Sequence, residues 1–397
     1  MKSYFFKEII DIKHKINRLI SDPEDIDCLV EIQRDLLSWH FWLENAVKTR
    51  KNRLIKLKKL KRAIGNTKAK SQAIKNSISL AKEQISELQD LKLWARHIGN
   101  SIPHIYYDKN DLRPYAYSTS RQELKELSGD IFGKEGQDLE NEVFEHAASL
   151  GIKVLLNDLT SIMRHGDITL MNQEIPFLME LKQSDACRKK AEKQLKNMRA
   201  VQDYILTDES ESLRGEGILS KRLAPLKDEH SRINEFNNHL VVTMEKGANI
   251  SKIDDNVYCY SFIGESFPED LSFIESYKKP IFVSLNQLKN NLDLSLFYPF
   301  TLSIKDPEVF SAFLCGYLSI YLFIDWEPLD NIARSENVDI EIISDDYCLM
   351  LQNGDNFAAQ SYTLTKALVE FTSVNWAVEQ ACKMYKESIL IYGGVAE

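Results

Sequence analysis

The chain has 397 residues, 44% of them apolar and 27% charged, and a formal net charge of −9. It is long enough for two or three domains with real cores. Its six cysteines, Cys28, Cys187, Cys259, Cys315, Cys348 and Cys382, include no C-x-x-C pair, which argues against a zinc ribbon or a disulfide framework and for a reducing, cytoplasmic setting. Neither a Walker loop nor a G-x-G-x-x-G run occurs, so nucleotide-driven chemistry is not expected. Met1–Ile20 is charged and amphipathic, unlike a signal peptide. The apolar run Val309–Ile324 is shorter than the roughly 20 residues a bilayer demands. It reads as a buried helix starting at Asp306-Pro307, and no membrane partner is expected.

Residues 1–98 read as almost wholly helical. A first helix runs to about Leu19, a second from Ser21-Asp22-Pro23-Glu24 to Ile64, and a third from Thr67 to His97 after Gly65-Asn66. The short turn makes the long pair an antiparallel hairpin. Leu80, Gln84, Leu88, Leu91 and Leu93 suggest a coiled-coil seam, and such arms commonly build homodimers or higher homo-oligomers. From Lys48 to Lys70 there are eleven basic residues and no acid, whereas residues 251–397 hold 22 acids against 9 basic residues. The basic run alternates with Leu54, Leu57, Leu60 and Ile64, so it is expected on a helix whose other face is apolar; it can steer nucleic acid, pair with the acidic C-terminal part of the same or a second chain, or simply be a solvated face. Residues 99–132 read as a connecting segment with a short helix at Arg121–Leu127.

A helix over 136–150, stopped by Gly151, carries Leu139, Val143, Ala147 and Leu150 as its core stripe. Glu140 sits at the margin of that stripe, about 100° from Leu139, and Glu145 points away. Strands follow at Ile152–Leu156, Asp167–Met171 and Ile175–Gln183. A turn at Gln173-Glu174 pairs Asn172 with Ile175 and sets Asp167 opposite Glu180, where cross-strand Cβ atoms lie about 5 Å apart. Alternation puts Glu180 and Lys182 on one face. Two carboxylates so placed can share a hard divalent ion, which polarises phosphoryl oxygens and acidifies bound water. Acid-x-Lys spacing also occurs at Asp11/Lys13, Asp90/Lys92 and Glu123/Lys125, and an exposed strand ion pair is the ordinary alternative. Only Glu180-Leu181-Lys182 combines a buried-looking strand with an opposed aspartate and a third acid upstream. His165 is either a phosphate contact or a plain loop residue.

Ser184 or Asp185 can cap a helix running to about Leu206, whose early turns hold Arg188, Lys189, Lys190, Lys193, Gln194, Lys196 and Arg199. Behind a metal site, Lys189, Lys190 and Lys193 would neutralise a phosphate backbone without reading sequence; a solvated face is the alternative. Asp208–Gly217 reads as a polar loop. Strands are then expected at His239–Met244, Val257–Ile263, Pro280–Leu285 and Val338–Ile343, and a helix over Tyr362–Lys386, with the region ending at Gly393-Gly394.

The order of helix, three strands and basic helix, with Gly136 to Glu140, Gly166-Asp167, Glu180-Leu181-Lys182 and Gln194, resembles the PD-(D/E)xK, or restriction-endonuclease-like, nuclease superfamily over residues 133–206. The helix motif resembles its Mrr-like branch. Gly166 replaces the proline of the family's motif, as in many members. The resemblance implies that Glu140, Asp167 and Glu180 bind Mg²⁺ or Mn²⁺, that Lys182 helps activate water, and that Gln194 supports the site.

The expected fold is α+β and multidomain: a helical hairpin (1–98), a connecting segment (99–132), a restriction-endonuclease-like αβββαβ core (133–290) completed by strand His239–Met244, and an acidic α/β accessory region (291–397). The expected function is a metal-dependent DNA endonuclease, built like a bacterial anti-phage defence or restriction effector and open to an activating partner protein or ligand. Two alternatives stay open: a catalytically inactive nucleic-acid-binding protein of nuclease fold, and a coiled-coil protein-interaction scaffold.

Overall fold

The computed structural model describes residues 5–62, 67–134, 136–182, 188–215, 217–222, 228–264, 272–275, 277–291, 293–343, 347–360 and 362–392, with backbone alone at 188–191, 273, 290, 291, 391 and 392. Two compact units result, one made of His14–Lys221 and the other of Lys2–Lys13 with Arg222–Glu397. No helix among the described residues is long and apolar enough to cross a membrane.

Helix α1 (Phe6–Ser21) is followed by α2 (Ile26–Arg62) and α3 (Lys68–Gly99), the long pair expected. The Thr67 hydroxyl starts α3 by accepting the Lys70 N–H at 3.3 Å; the Gly65-Asn66 turn lies outside the described residues. In α3 the buried seam recurs every seventh residue at Ile74, Ala81, Leu88 and Ala95, with Leu91 and Ile98 between. Leu80, expected in the seam, is exposed. Buried side chains on α2 end at Val47, so its basic last third is solvated.

The connecting segment is part of the core. Helices α4 (Ser101–Tyr106) and α5 (Lys109–Leu112) and a 3-10 turn at Arg113–Ala116 bury Ile102, Leu112, Tyr115 and Ala116 completely. The helix expected at Arg121–Leu127 is absent; an isolated bridge between Tyr117 and Leu124 holds that stretch extended. Gly99 ends α3 against the Leu159 carbonyl, where an added Cβ would lie 2.0 Å from that oxygen.

Helix α6 (Gln137–Ser149) leads into β1 (Val154–Leu156), β2 (Ile168–Leu170) and β3 (Phe177–Met179), an antiparallel sheet in that order. Gln33 of α2, fully buried, stitches the free edge of β1: its amide donates to the Val154 carbonyl at 2.8 Å and accepts the Leu156 N–H at 2.9 Å. Gln33→Leu therefore orphans two backbone groups, and thermal melting is expected to report a loss of about 2–4 kcal/mol. Helix α7 (Arg188–Thr207) runs directly to β4 (Glu209–Ser210), which pairs with β5 (Ser220–Lys221) in a separate two-stranded ribbon. The expected cap at Ser184 or Asp185 lies outside the described residues.

After Arg222 the second unit continues with α8 (Ile233–Lys246), which contains His239–Met244. The expected strand over that run, completing the first sheet, is therefore a helix instead. Phe236, His239, Leu240 and Thr243 are buried at helical spacing, and Gly247 at φ +83° stops the helix, so the β-branched content misleads over so short a run. The strands β6 (Ala248–Asp254), β7 (Val257–Ile263), β8 (Pro280–Ser284) and β9 (Leu318–Asp325) form an antiparallel sheet in the order β6-β7-β9-β8. This sheet straddles the boundary expected after residue 290, because β8 and β7 both pair with β9. Between β8 and β9 lie α9 (Leu285–Asn291), α10 (Phe300–Ser303) and α11 (Pro307–Cys315). The run Val309–Ile324 is thus half helix and half strand, divided by Gly316 at φ +84°. Helix α12 (Trp326–Ser335) precedes a three-stranded antiparallel sheet of β10 (Asp339–Ile342), β11 (Leu349–Asn353) and β12 (Asn356–Gln360). The expected final helix is two, α13 (Thr363–Val369) and α14 (Val374–Tyr392), broken where Phe371 adopts φ +53° and stacks on Phe236 at 3.6 Å.

Candidate metal centre

The hairpin of β2 and β3 sets the geometry. Ile168 pairs with Met179, Thr169 with Leu178 and Leu170 with Phe177. The described ladder agrees with the turn expected at Gln173-Glu174 and ends at that first pair, one residue short of the expected Asp167–Glu180 pairing. The strands are shorter than expected, and Gln183 lies outside the described residues. Beyond the ladder Asp167 makes one main-chain and one side-chain bond to β3 and its continuation: its N–H donates to the Met179 carbonyl at 2.8 Å, and its Oδ2 accepts the Leu181 N–H at 2.7 Å.

Gly166 makes this approach possible. It holds φ +72°, and a Cβ there would stand 2.7 Å from the Met179 carbonyl oxygen. Gly166→Ala is expected to cost about 2–4 kcal/mol in thermal melting, combining left-handed strain with a backbone clash, and to shift Asp167 away from its partner strand. An unchanged melting temperature would contradict this account of the turn.

The Glu180 side chain is 3% exposed, and it is ion-paired with Lys182, whose side chain keeps 30% of its exposure. Glu140 comes from α6. The buried residues of that helix are Phe144 and Ala147, while Leu150, expected in the core stripe, is 61% exposed. The buried face is rotated towards Phe144, which puts Glu140 one turn ahead of it on that face rather than at its margin. Burial, and then the charges of Asp167, Asp158 and Glu180, push the Glu140 carboxyl up to about 7. Burial likewise raises Asp167, opposed by the Leu181 N–H, with Glu180 adding to the rise. Glu140, Asp167, Glu180 and Lys182, read from separate segments, are therefore brought into one field. Glu145 points away as expected, exposed and paired with Arg34.

Two members of this field escape the motif. Asp158 sits on a 3-10 turn, Asn157–Leu159, immediately after β1. Burial works against its charge, but Lys134, paired with its carboxylate, and the Ser128 hydroxyl prevail and hold its pKa below the ordinary value. Arg96 secures the turn by donating to the Asp158 carbonyl at 3.1 Å. Lys125 donates to the Arg164 carbonyl. Its pKa is lowered by burial and supported by Glu180 and Asp167. The one sequence signal for Asp158 is its place just past the apolar run Val154–Leu156; that for Lys125 is the Glu123/Lys125 spacing, set aside above as an ordinary surface pair.

Comparison with known proteins finds no matching family model, curated protein or solved structure.

Among the described residues, no three His, Cys, Asp or Glu side chains converge closely enough to hold a metal ion in their present rotamers. Lys182 is paired with Glu180, and the Leu181 N–H engages Asp167. The donor set nevertheless suits a hard divalent cation, since carboxylates from three segments raise one another's proton affinity. Gln194 on α7 contributes a buried Oε1 with no hydrogen-bond partner, so through that atom it supports none of the acids in this state. Lys193 is exposed, and the side chains of Lys189 and Lys190 lie outside the described residues. Further along, α7 is of mixed sign: Lys196 and Arg199 line a groove with Glu192 and Asp203. His165 is buried and donates through Nε2 to the Tyr117 carbonyl at 2.9 Å. Burial lowers its pKa to about 4, so it is a neutral structural residue rather than a phosphate contact.

Proposed function

We propose that the first unit is a metal-dependent nuclease of the PD-(D/E)xK kind, an endonuclease hydrolysing phosphodiester bonds of DNA. The observation that carries this reading is the shared field of Glu140, Asp167 and Glu180, in which Glu140 is held up to about 7. These three residues would hold Mg²⁺ or Mn²⁺. Bound there, such an ion supplies charge for a phosphoryl oxygen and acidifies a water. Lys182, already at Glu180, orients the attacking water and stabilises charge building on the phosphate oxygens. Lys125 is a second buried cation of the same field, and Gln194 offers an acceptor for a water or a backbone amide. Lys189, Lys190 and Lys193 neutralise flanking phosphates. A helical arm and a second unit around such a core match the build of bacterial defence or restriction effectors, whose accessory parts govern activation.

One departure stands against a full αβββαβ core: the described strands paired beside β1 to β3 include none from after α7. The present rotamers, with Lys182 on Glu180 and no converged metal group among the described residues, favour as second reading a nucleic-acid-binding protein without turnover. Incubation of the full chain with supercoiled plasmid, linear duplex, single-stranded DNA and RNA, in Mg²⁺, Mn²⁺ or EDTA, separates the two. Cutting of DNA that EDTA abolishes is expected from the nuclease. Salt-sensitive binding with no cutting in either metal would instead favour the second reading.

A further inference from the structure

From residue 45 to residue 82 the chain has thirteen Lys or Arg and no Asp or Glu, so its net −9 comprises +13 from this stretch and −22 from everything else. The stretch is the end of the α2–α3 hairpin remote from Leu29 and Ile98, and its α2 cations all follow Val47, the last buried residue of that helix. All thirteen cations are exposed except Arg50, whose Nε donates to Gln84 at 3.0 Å. The nearest preceding acid, Glu44, is committed elsewhere: its carboxylate accepts the Ile131 and Phe132 N–H groups at 2.7 and 3.1 Å and pairs with Lys92 at 3.3 Å. None of the thirteen forms a salt bridge with a described acid.

A run of like charge this dense repels itself and persists where a polyanion relieves it. Nine of the fifteen residues 48–62 are Lys or Arg. At 1.5 Å per residue they cover about 22 Å, a length over which duplex nucleic acid presents about a dozen phosphate charges. At 100° per residue these nine point all around the helix, with Arg50, Arg53 and Lys61 falling among Leu54, Leu57 and Leu60, so the apolar face expected there is broken by charge and is not of the kind an interfacial membrane helix requires. We infer that the distal half of the α2–α3 hairpin is a binding arm for the phosphate backbone of double-stranded nucleic acid. The binding is sequence-independent, because phosphates carry no base identity. This goes beyond the nuclease proposal and does not depend on turnover.

The test is fluorescence anisotropy of a labelled duplex in EDTA, across a salt series, with the full chain. It compares wild type, the arm variant Lys56→Gln/Lys58→Gln/Lys59→Gln/Lys61→Gln/Arg62→Gln, and the α7 variant Lys193→Gln/Lys196→Gln/Arg199→Gln. Circular dichroism melting checks that the variants stay folded, as exposed sites should. Every phosphate that the variant no longer neutralises makes the plot of log affinity against log salt shallower by about 0.9, so the five-site arm variant is expected to show a slope reduced by up to about 4.5 and an affinity at least about tenfold weaker at low salt. The inference is overturned by an arm variant that binds like wild type, by weakening confined to the α7 variant, or by wild type that binds phosphatidylserine vesicles but not duplex. Absence of cleavage in metal leaves these readouts intact and bears only on the nuclease reading.

Discussion

Glu180→Gln and Lys182→Ala are each expected to lower the proposed metal-dependent DNA cleavage by about a thousandfold, with losses of stability that differ between them. Glu180→Gln keeps the size of a side chain that is 3% exposed and removes its charge, so folding changes little while a ligand of the ion is weakened. Lys182→Ala strands the buried Glu180 carboxylate without its cation, and a drop of several degrees in melting temperature is expected from that uncompensated charge. Two variants with different stability and the same catalytic deficit would place the defect in chemistry. Cleavage at the wild-type rate by both would sink the assignment of this pair.

The second large effect links pH, metal and stability. The Glu140 carboxyl titrates near its ordinary 4.5 in the unfolded chain and at about 7 in the folded protein. Between these values the folded state holds the extra proton. Its stabilising contribution is therefore complete below about 4.5 and is lost as pH rises through about 7. Metal-free Glu140→Gln should accordingly melt higher than wild type at pH 8, with the gap closing towards pH 4.5. A divalent ion relieves the same repulsion. At pH 8, Mn²⁺ at about a hundred times its Kd is expected to raise the wild-type melting temperature by about 5–10 °C. The rise should shrink greatly at pH 5, where protons compete, and in Glu140→Gln at any pH. Differential scanning fluorimetry reads all of these; an equal Mn²⁺ shift in wild type and Glu140→Gln would remove Glu140 from the metal site.

What was legible in the sequence follows from how local each signal is. The register of the β2–β3 hairpin depends on a turn and a period-two alternation, and Ile168 stands opposite Met179 as those imply, although the described ladder stops before Asp167 and Glu180. Thr67 as the cap of α3 is equally local. The rotation of α6, by contrast, is set by what packs on Phe144, which no periodicity over so short a helix reveals. His239–Met244 and Val309–Ile324 are apolar runs whose state is decided by tertiary partners, with Gly247 and Gly316 as their only punctuation. Asp158 and Lys125 join the acidic field through the turn after β1 and the extended stretch beside Tyr117, both outside any helix or strand period. Arg96, which braces Asp158, reaches it from α3 across 62 positions of sequence.

The central claim is that Glu140, Asp167 and Glu180 hold one divalent ion. Anomalous diffraction from a crystal of the full chain grown with Mn²⁺ tests it most directly. The account predicts an anomalous peak coordinated by these three carboxylates, with Lys182 released from Glu180. Mn²⁺ bound elsewhere, or none at saturating concentration with the Glu180–Lys182 pair intact, would contradict it.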